Sequence, residues 1–212
     1  MILDNHLKEI IVGLLLGDGN MQTFSKDGKT WRLRIIQGGS NHFIYICHLR
    51  NLLDAWTKME IKEYNEVRTI KNKIYKKWYF NTLSFEQFSE LGNAFYPLIN
   101  RDSNSNYKKR KKIIPLEIED WLTDKGLAYW FMDDGSTKWG NKVSAIRFCT
   151  DSFTEREIDL LIDVINRKFN LKATKFINNN KWRLYFGTEN YQQLKELIYP
   201  YIIPSMLYKF PL

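Results

Sequence analysis

The feature that most narrows the folds open to this chain is an internal repeat. Trp78-Tyr79-Phe80-Asn81-Thr82 has a counterpart in Leu184-Tyr185-Phe186-Gly187-Thr188. Tyr96-Pro97-Leu98-Ile99 is matched by Tyr199-Pro200-Tyr201-Ile202, and Lys112-Ile113-Ile114-Pro115 by Lys209-Phe210-Pro211. Three matches in one order mean that a single structural plan is used twice. The halves are read as residues 1–98 and 116–212, joined by a basic linker over 99–115. The first half is the longer one, and such differences belong in loops. The 212 residues suit two small units, and 44% hydrophobic with 15% aromatic residues is enough to bury a core and to exclude wholesale disorder.

Local signals fill in the plan. Asp4 can cap a helix in which Leu7, Ile10, Ile11, Leu14 and Leu15 recur at helical spacing, ending near Asp18-Gly19. Trp31 to Gln37 reads as a strand with Arg32 and Arg34 on one face, and Ser40 opens a helix to about Trp56. Strands near Glu66–Ile70 and Ile74–Leu83 flank the turn Lys71-Asn72-Lys73. Ser84 to Gln87 has a capping-box pattern ahead of a helix that ends before Pro97. In the second half Thr123 caps a helix ending at Asp134-Gly135, and Lys142–Thr150 is a strand. Ser152 to Glu155 is a second capping box, with Ile158, Leu161, Ile162 and Ile165 continuing an apolar face. Two strands surround Asn178-Asn179-Asn180, and a last helix runs from about Glu189 to Ile198. The expected class is α+β, with the order αββαββα in each half.

The formal net charge of +8 favours a polyanionic partner, of which nucleic acid is the commonest. Cys47 and Cys149 are far apart and form no C-x-x-C, so neither a zinc site nor a disulfide framework is expected. His6, His42 and His48 show no metal-ligand spacing. The apolar stretch Ile10–Leu16 is too short to span a bilayer, and no secretory or transit signal is apparent. An intracellular setting is expected. The abundance of Lys, Asn, Ile, Tyr and Phe, favoured by AT-rich codons, points to an organellar or phage-like genome, and a mitochondrion or chloroplast is the expected location.

Two segments carry chemistry. Ile11 to Gly19 and Leu127 to Gly135 are both apolar runs ending in Asp-Gly. Singly, each is an ordinary helix end. Together they are unusual, because a carboxylate at a helix C-terminus opposes the helix dipole. If the repeat builds a pseudo-two-fold axis, the two helices pack side by side. Gly13 and Gly17, at i and i+4, permit close approach, and Asp18 and Asp134 then meet. Two carboxylates there make a hard-oxygen site suited to Mg²⁺, the arrangement that two-metal phosphodiester hydrolysis requires.

These motifs resemble the LAGLIDADG homing endonuclease family over nearly the whole chain. The resemblance is greatest to single-chain, two-motif members of the mitochondrial omega-type intron branch, through Leu127 to Gly135 and Tyr208-Lys209-Phe210-Pro211. It implies a pseudo-symmetric pair of αββαββα units, motif helices packed at the centre, and antiparallel sheets forming a saddle over the DNA major groove. It implies a monomer that cuts both strands of a long, specific duplex target with Mg²⁺ or Mn²⁺, leaving short 3′ overhangs. The last aspartate of each motif holds metal, here Asp18 and Asp134, with the carbonyls of Gly17 and Asp133 as further ligands. Asp133 is an alternative to Asp134 by proximity, though motif alignment favours Asp134. Lys112 and Lys209 resemble the family's basic groups near the scissile phosphates, and Gln37 its water-ordering polar residue, with Cys149 at the matching place in the second half. Leu16 stands where the motif often has Asp, and Tyr129 where the second motif usually has Gly. The same fold also serves RNA-binding maturases that assist group I intron splicing without cutting DNA, and this is the alternative function.

A sheet facing a major groove needs long donors at alternate positions. In the last hairpin Trp182, Leu184 and Phe186 are expected to face inward, leaving Lys181, Arg183 and Tyr185 outward. Tyr75, Lys77 and Tyr79 take the matching places in the first half. Arg32, Arg34, Arg68 and Arg147 are further candidates for DNA contact.

Overall fold

A computed structural model describes residues 2–68, 73–99, 109–140 and 143–210. Its first half runs α1 (Asn5–Leu16), β1 (Asn20–Gln22), β2 (Arg32–Gly38), α2 (Phe43–Leu52), β3 (Lys62–Arg68), β4 (Lys73–Asn81) and α3 (Ser89–Phe95). Two-residue strands β5 (Leu98–Ile99) and β6 (Lys109–Arg110) pair antiparallel across the linker, and α4 (Ile118–Trp121) follows. The second half is α5 (Asp124–Asp134), β7 (Gly135–Gly140), β8 (Val143–Phe148), α6 (Glu155–Phe169), β9 (Ala173–Asn178), β10 (Lys181–Phe186) and α7 (Thr188–Ile198). Each half is αββαββα. Each contains one four-stranded antiparallel sheet, ordered β1-β2-β4-β3 and β7-β8-β10-β9.

The motif helices form the centre. Asp4 caps α1 by accepting from Leu7 N at 2.7 Å, and the Thr123 hydroxyl accepts from Gly126 N at 3.2 Å. Every residue of α1 from Ile10 to Leu16 is buried, as is every residue of α5 from Gly126 to Asp133. A short helix apolar on all sides must lie inside a larger fold. Each fully buried Leu or Ile there contributes about 1.5–3 kcal/mol relative to exposure. The helices touch through backbone: a Cβ on Gly13 would fall onto the Gly126 carbonyl oxygen, and one on Gly17 would lie 2.6 Å from Asp133 Cβ.

The sheets cover this centre with one face. In β2, Leu33, Ile35 and Gln37 are buried and the residues between them are not. The β9–β10 hairpin turns on Asn179 and Asn180, with φ of 50° and 57°. Two consecutive positive φ values match the two-residue turn whose twist suits a hairpin, and asparagine tolerates them.

Local details differ from the sequence expectations. The segment Ser40–Trp56 is broken into 3-10 turns at Ser40–His42 and Asp54–Trp56 around α2. Ser84 to Gln87 forms no capping box: a 3-10 turn starts at Glu86 with Phe85 in the cap position and no side-chain cap. The second box forms two residues later than expected. Thr154 N and its hydroxyl bond the Glu157 carboxylate at 2.6 and 2.5 Å. Phe153, buried just ahead of it, fixes the entry of the chain. Lys71, Asn72 and linker residues 100–108 lie outside the described residues, as does the side chain of Arg68. No helix among the described residues is long and apolar enough to cross a membrane.

The glycine contact gives a direct test of the helix packing. Gly13→Ala raises intrinsic helix propensity by about 1 kcal/mol. Its methyl group, however, meets a backbone carbonyl that cannot rotate away, and such overpacking costs about 3 kcal/mol. The expected net is a loss of roughly 2 kcal/mol in urea unfolding. A midpoint equal to or above that of the parent protein would refute backbone contact between the helices.

Candidate active site and nucleic-acid face

The two motif helices end differently. α1 stops at Leu16, and the amides of Gly17 and Gly19 turn back onto the carbonyls of Gly13 and Leu14 at 3.2 and 2.7 Å. α5 continues through Asp134, whose carbonyl accepts from Cys149 N at 3.1 Å. Lys112 Nζ donates to the carbonyls of Gly17 and Gly19, both at 2.9 Å. Lys209 Nζ shares its three protons among four carbonyl oxygens, those of Asp133 and Gly135 at 3.2 and 3.0 Å and those of Phe131 and Met132 at 3.0 and 2.6 Å. With Asp18 matched to Asp134, Gly17 corresponds to Asp133 and Gly19 to Gly135. Each lysine therefore caps the same pair of positions in its own half, placing a cation where the helix dipole is negative.

Burial and mutual charge perturb the whole cluster. Asp134 is pushed up to about 7, first by burial and then by the charge of Asp18, against the pull of Lys112 and Lys209. Asp18 is raised by burial, opposed by Lys112, Lys209 and Lys77. Burial brings both Lys112 and Lys209 down to about 8, opposed by Asp133, Asp134 and Asp18. Burial also holds Asp133 well above the usual carboxylate range. Two desolvated carboxylates that repel one another are the donors a divalent cation relieves. Among the described residues no group of three or more His, Cys, Asp and Glu could hold a metal. The carbonyls of Gly17 and Asp133 already accept from lysines, which leaves each one lone pair. The donor set fits a cation that also takes ligands from water or phosphate.

The sheet faces turned away from the core share one register. Arg34 pairs with Asn20 and Asn81, Tyr79 with Lys62, Lys77 with Tyr64, Tyr75 with Glu66, and Arg68 with Lys73. In the second half Arg147 pairs with Ser136 and Tyr185, and Arg183 with Phe176. All ten sequence candidates for DNA contact occupy this parity, opposite Phe80, Leu184 and Phe186. Gln22, Lys62, Tyr64, Lys138 and Phe176 share this parity and were not among the sequence candidates. Several of the cations are held by neighbours. Arg32 donates to Gln22 Oε1 at 3.0 and 2.8 Å, Lys77 pairs with Glu66 at 3.0 Å, and Arg183 pairs with both Asp151 oxygens at 3.0 Å. Arg34 lies over the Tyr79 ring at 5.4 Å. Among the described residues, the buried Nε atoms of Arg34 and Arg147 have no hydrogen-bond partner.

The description "LAGLIDADG DNA endonuclease family" matches residues 8–194. The chain belongs to this family. It is 32% identical to the DNA endonuclease I-ChuI of Chlamydomonas applanata, over 99% of this chain and 96% of the relative. It is 30% identical to the cytochrome b mRNA maturase bI2 of Debaryomyces hansenii, over 98% and 74%. A solved structure of the homing endonuclease I-WcaI bound to its DNA recognition sequence superposes with a TM-score of 0.84 at 28% identity, covering 100% of this chain and 88% of that one.

Within this LAGLIDADG chain, the departures from the motif have structural answers. The Tyr129 hydroxyl bonds His48 Nε2 on α2 at 2.8 Å. The close approach usually made by a glycine there is made by Gly126 instead. Leu16 is simply core. Gln37 is 1% exposed and its amide is committed at both ends, to Asp133 Oδ1 at 2.9 Å and His42 Nδ1 at 2.8 Å. This geometry supports a place beneath the carboxylates rather than one ordering water. Nor is Cys149 its counterpart. Gln37 pairs with Trp78 and Phe148 with Leu184, and Trp78 and Leu184 are repeat-matched. Cys149 is one residue further on, and a one-residue step reverses the face.

The raised carboxyl has a stability consequence. A group whose folded pKa lies above its unfolded value contributes stability that is complete below the unfolded pKa, near 4. That contribution is lost as pH rises through about 7. Metal-free Asp134→Asn is therefore expected to unfold at higher temperature than the parent at pH 8, by on the order of 1–3 kcal/mol, or several degrees. The advantage shrinks as pH falls and is gone only below about pH 4. Thermal unfolding in chelator at both pH values checks this, and a destabilised variant at pH 8 would contradict it.

Proposed function

We propose that this chain is a divalent-metal-dependent, site-specific double-strand DNA endonuclease acting as a monomer. The observation that carries the reading is the pair of two-fold-related aspartate and lysine groups at the shared helix ends. Asp18 and Asp134 would hold Mg²⁺ or Mn²⁺, with the carbonyls of Gly17 and Asp133 as the nearest further donors. When bound, such cations supply an activated water and stabilise the leaving 3′ oxygen. Lys112 and Lys209, brought down to about 8, sit where each can hold the developing phosphate charge or exchange a proton near neutral pH. The Arg, Lys and Tyr residues on the outer parity of the two sheets would hold a long duplex target along its major groove. One active centre per half then gives two cuts and short 3′ overhangs. An intron of an organelle genome as the coding context fits relatives named as an intron-encoded endonuclease and a cytochrome b mRNA maturase.

A second reading, an intron RNA-binding maturase, is favoured by the relative that carries that name. Retention of both aspartates and both lysines favours cutting, because RNA chaperoning needs no metal site. Selection of a cleavable site from a randomised duplex library in Mg²⁺ separates the two. Cutting of no duplex, with tight binding to group I intron RNA, would establish the maturase instead. On a selected site, Asp18→Asn and Asp134→Asn are each expected to abolish double-strand cleavage while duplex affinity is retained. Full cutting by either variant would remove that aspartate from the mechanism. Contacts to roughly 6–10 phosphates should weaken binding about 10³- to 10⁵-fold between 50 and 200 mM salt. A flat salt dependence would count against the broad basic face.

A further inference from the structure

A chain of four hydrogen bonds ends beneath Asp18. The Tyr208 hydroxyl lies 3.0 Å from His42 Nε2, and His42 Nδ1 lies 2.8 Å from Gln37 Oε1. Gln37 Nε2 donates to Asp133 Oδ1 at 2.9 Å, and the Asp18 amide donates to Asp133 Oδ2 at 3.1 Å. An amide oxygen only accepts, so Nδ1 of His42 carries a proton; in the neutral ring Nε2 then accepts from Tyr208. Gln37 and His42 come from the first half, Asp133 and Tyr208 from the second.

The two aspartates differ in their need for such support. Asp134 is the last residue of α5, so the helix holds it. Asp18 lies two residues beyond α1. The amides on either side of it return to α1 carbonyls, but its own amide is bonded to the Asp133 carboxylate. The repeat counterpart of Asp133 is Gly17, which has no side chain, so no equivalent carboxylate can serve Asp134.

We infer that His42 and Gln37 are positioning residues for Asp18 alone. One catalytic aspartate is held by its helix and the other by a side-chain network, so a residue that touches no substrate can uncouple the two strand cuts. The cleavage part of this inference rests on the endonuclease reading above.

The test uses His42→Ala and His42→Asn, the latter placing an amide N–H where Nδ1 stands. The first readout is amide hydrogen exchange of Asp18 and Asp134 in the protein without DNA. The second is strand-resolved cleavage of a supercoiled plasmid carrying the target, with duplex affinity measured alongside. In His42→Ala, exchange at Asp18 should quicken about tenfold, as expected for the loss of roughly one hydrogen bond, while Asp134 is unchanged. One strand should be cut about 10- to 100-fold more slowly, so that nicked circles accumulate at unchanged affinity. His42→Asn should restore both readouts. Should His42→Ala not fold, Tyr208→Phe removes the outer link and is expected to shift both readouts in the same direction. Unchanged exchange at Asp18, equal slowing of both strands, or no rescue by Asn would each overturn the inference. Failure of the parent protein to cut any duplex would count against the endonuclease reading only, and exchange at Asp18 would still decide the positioning role.

Discussion

The structure depends on the contact of Gly13 with the backbone of Gly126. No side chain separates α1 from α5 at that point, so the helix ends and their carboxylates are drawn into one small volume. Every later feature answers the electrostatic problem this creates. Two carbonyl-rich helix ends and two carboxylates would repel one another in a poorly hydrated centre. Lys112 and Lys209 resolve the first part by capping the carbonyls, and a bound cation would resolve the second. The same crowding that costs stability in the metal-free protein is what a cation held there, as proposed, would relieve.

How much of this could be read beforehand depended on the range of each interaction. The repeat marked Asp18 with Asp134 and Lys112 with Lys209 because it compares positions that are far apart in the chain. It could not show that the lysines reach the carbonyls of the helix ends. The outer parity of β4 and β10 was legible from strict alternation, as in Trp182, Leu184 and Phe186. The αββαββα plan requires β1 and β7, but neither was located, because each begins at or just after an Asp-Gly that reads as a helix stop, and β1 has three residues in all. Too few positions were left for alternation to register.

Other details needed packing to decide them. Cys149 and Gln37 looked equivalent because both close a strand, yet pairing register separates them by a residue. The His42 network had no sequence signal at all, since a lone histidine has no periodicity. Its partners come from four separated points of the chain. Tyr129 looked like an obstacle to helix contact, but a helix has several faces, and the contact was moved one turn back to Gly126.

Asp133 fills the space in front of Gly17, and this has a consequence for assembly. The two residues occupy matched positions, so a pairing of two first halves would set Gly17 against Gly17 and leave a hole. A pairing of two second halves would drive one carboxylate into another. Only the mixed pair fits. The interface of this chain thus favours its own heterotypic pair, in which the small Gly17 receives the Asp133 side chain.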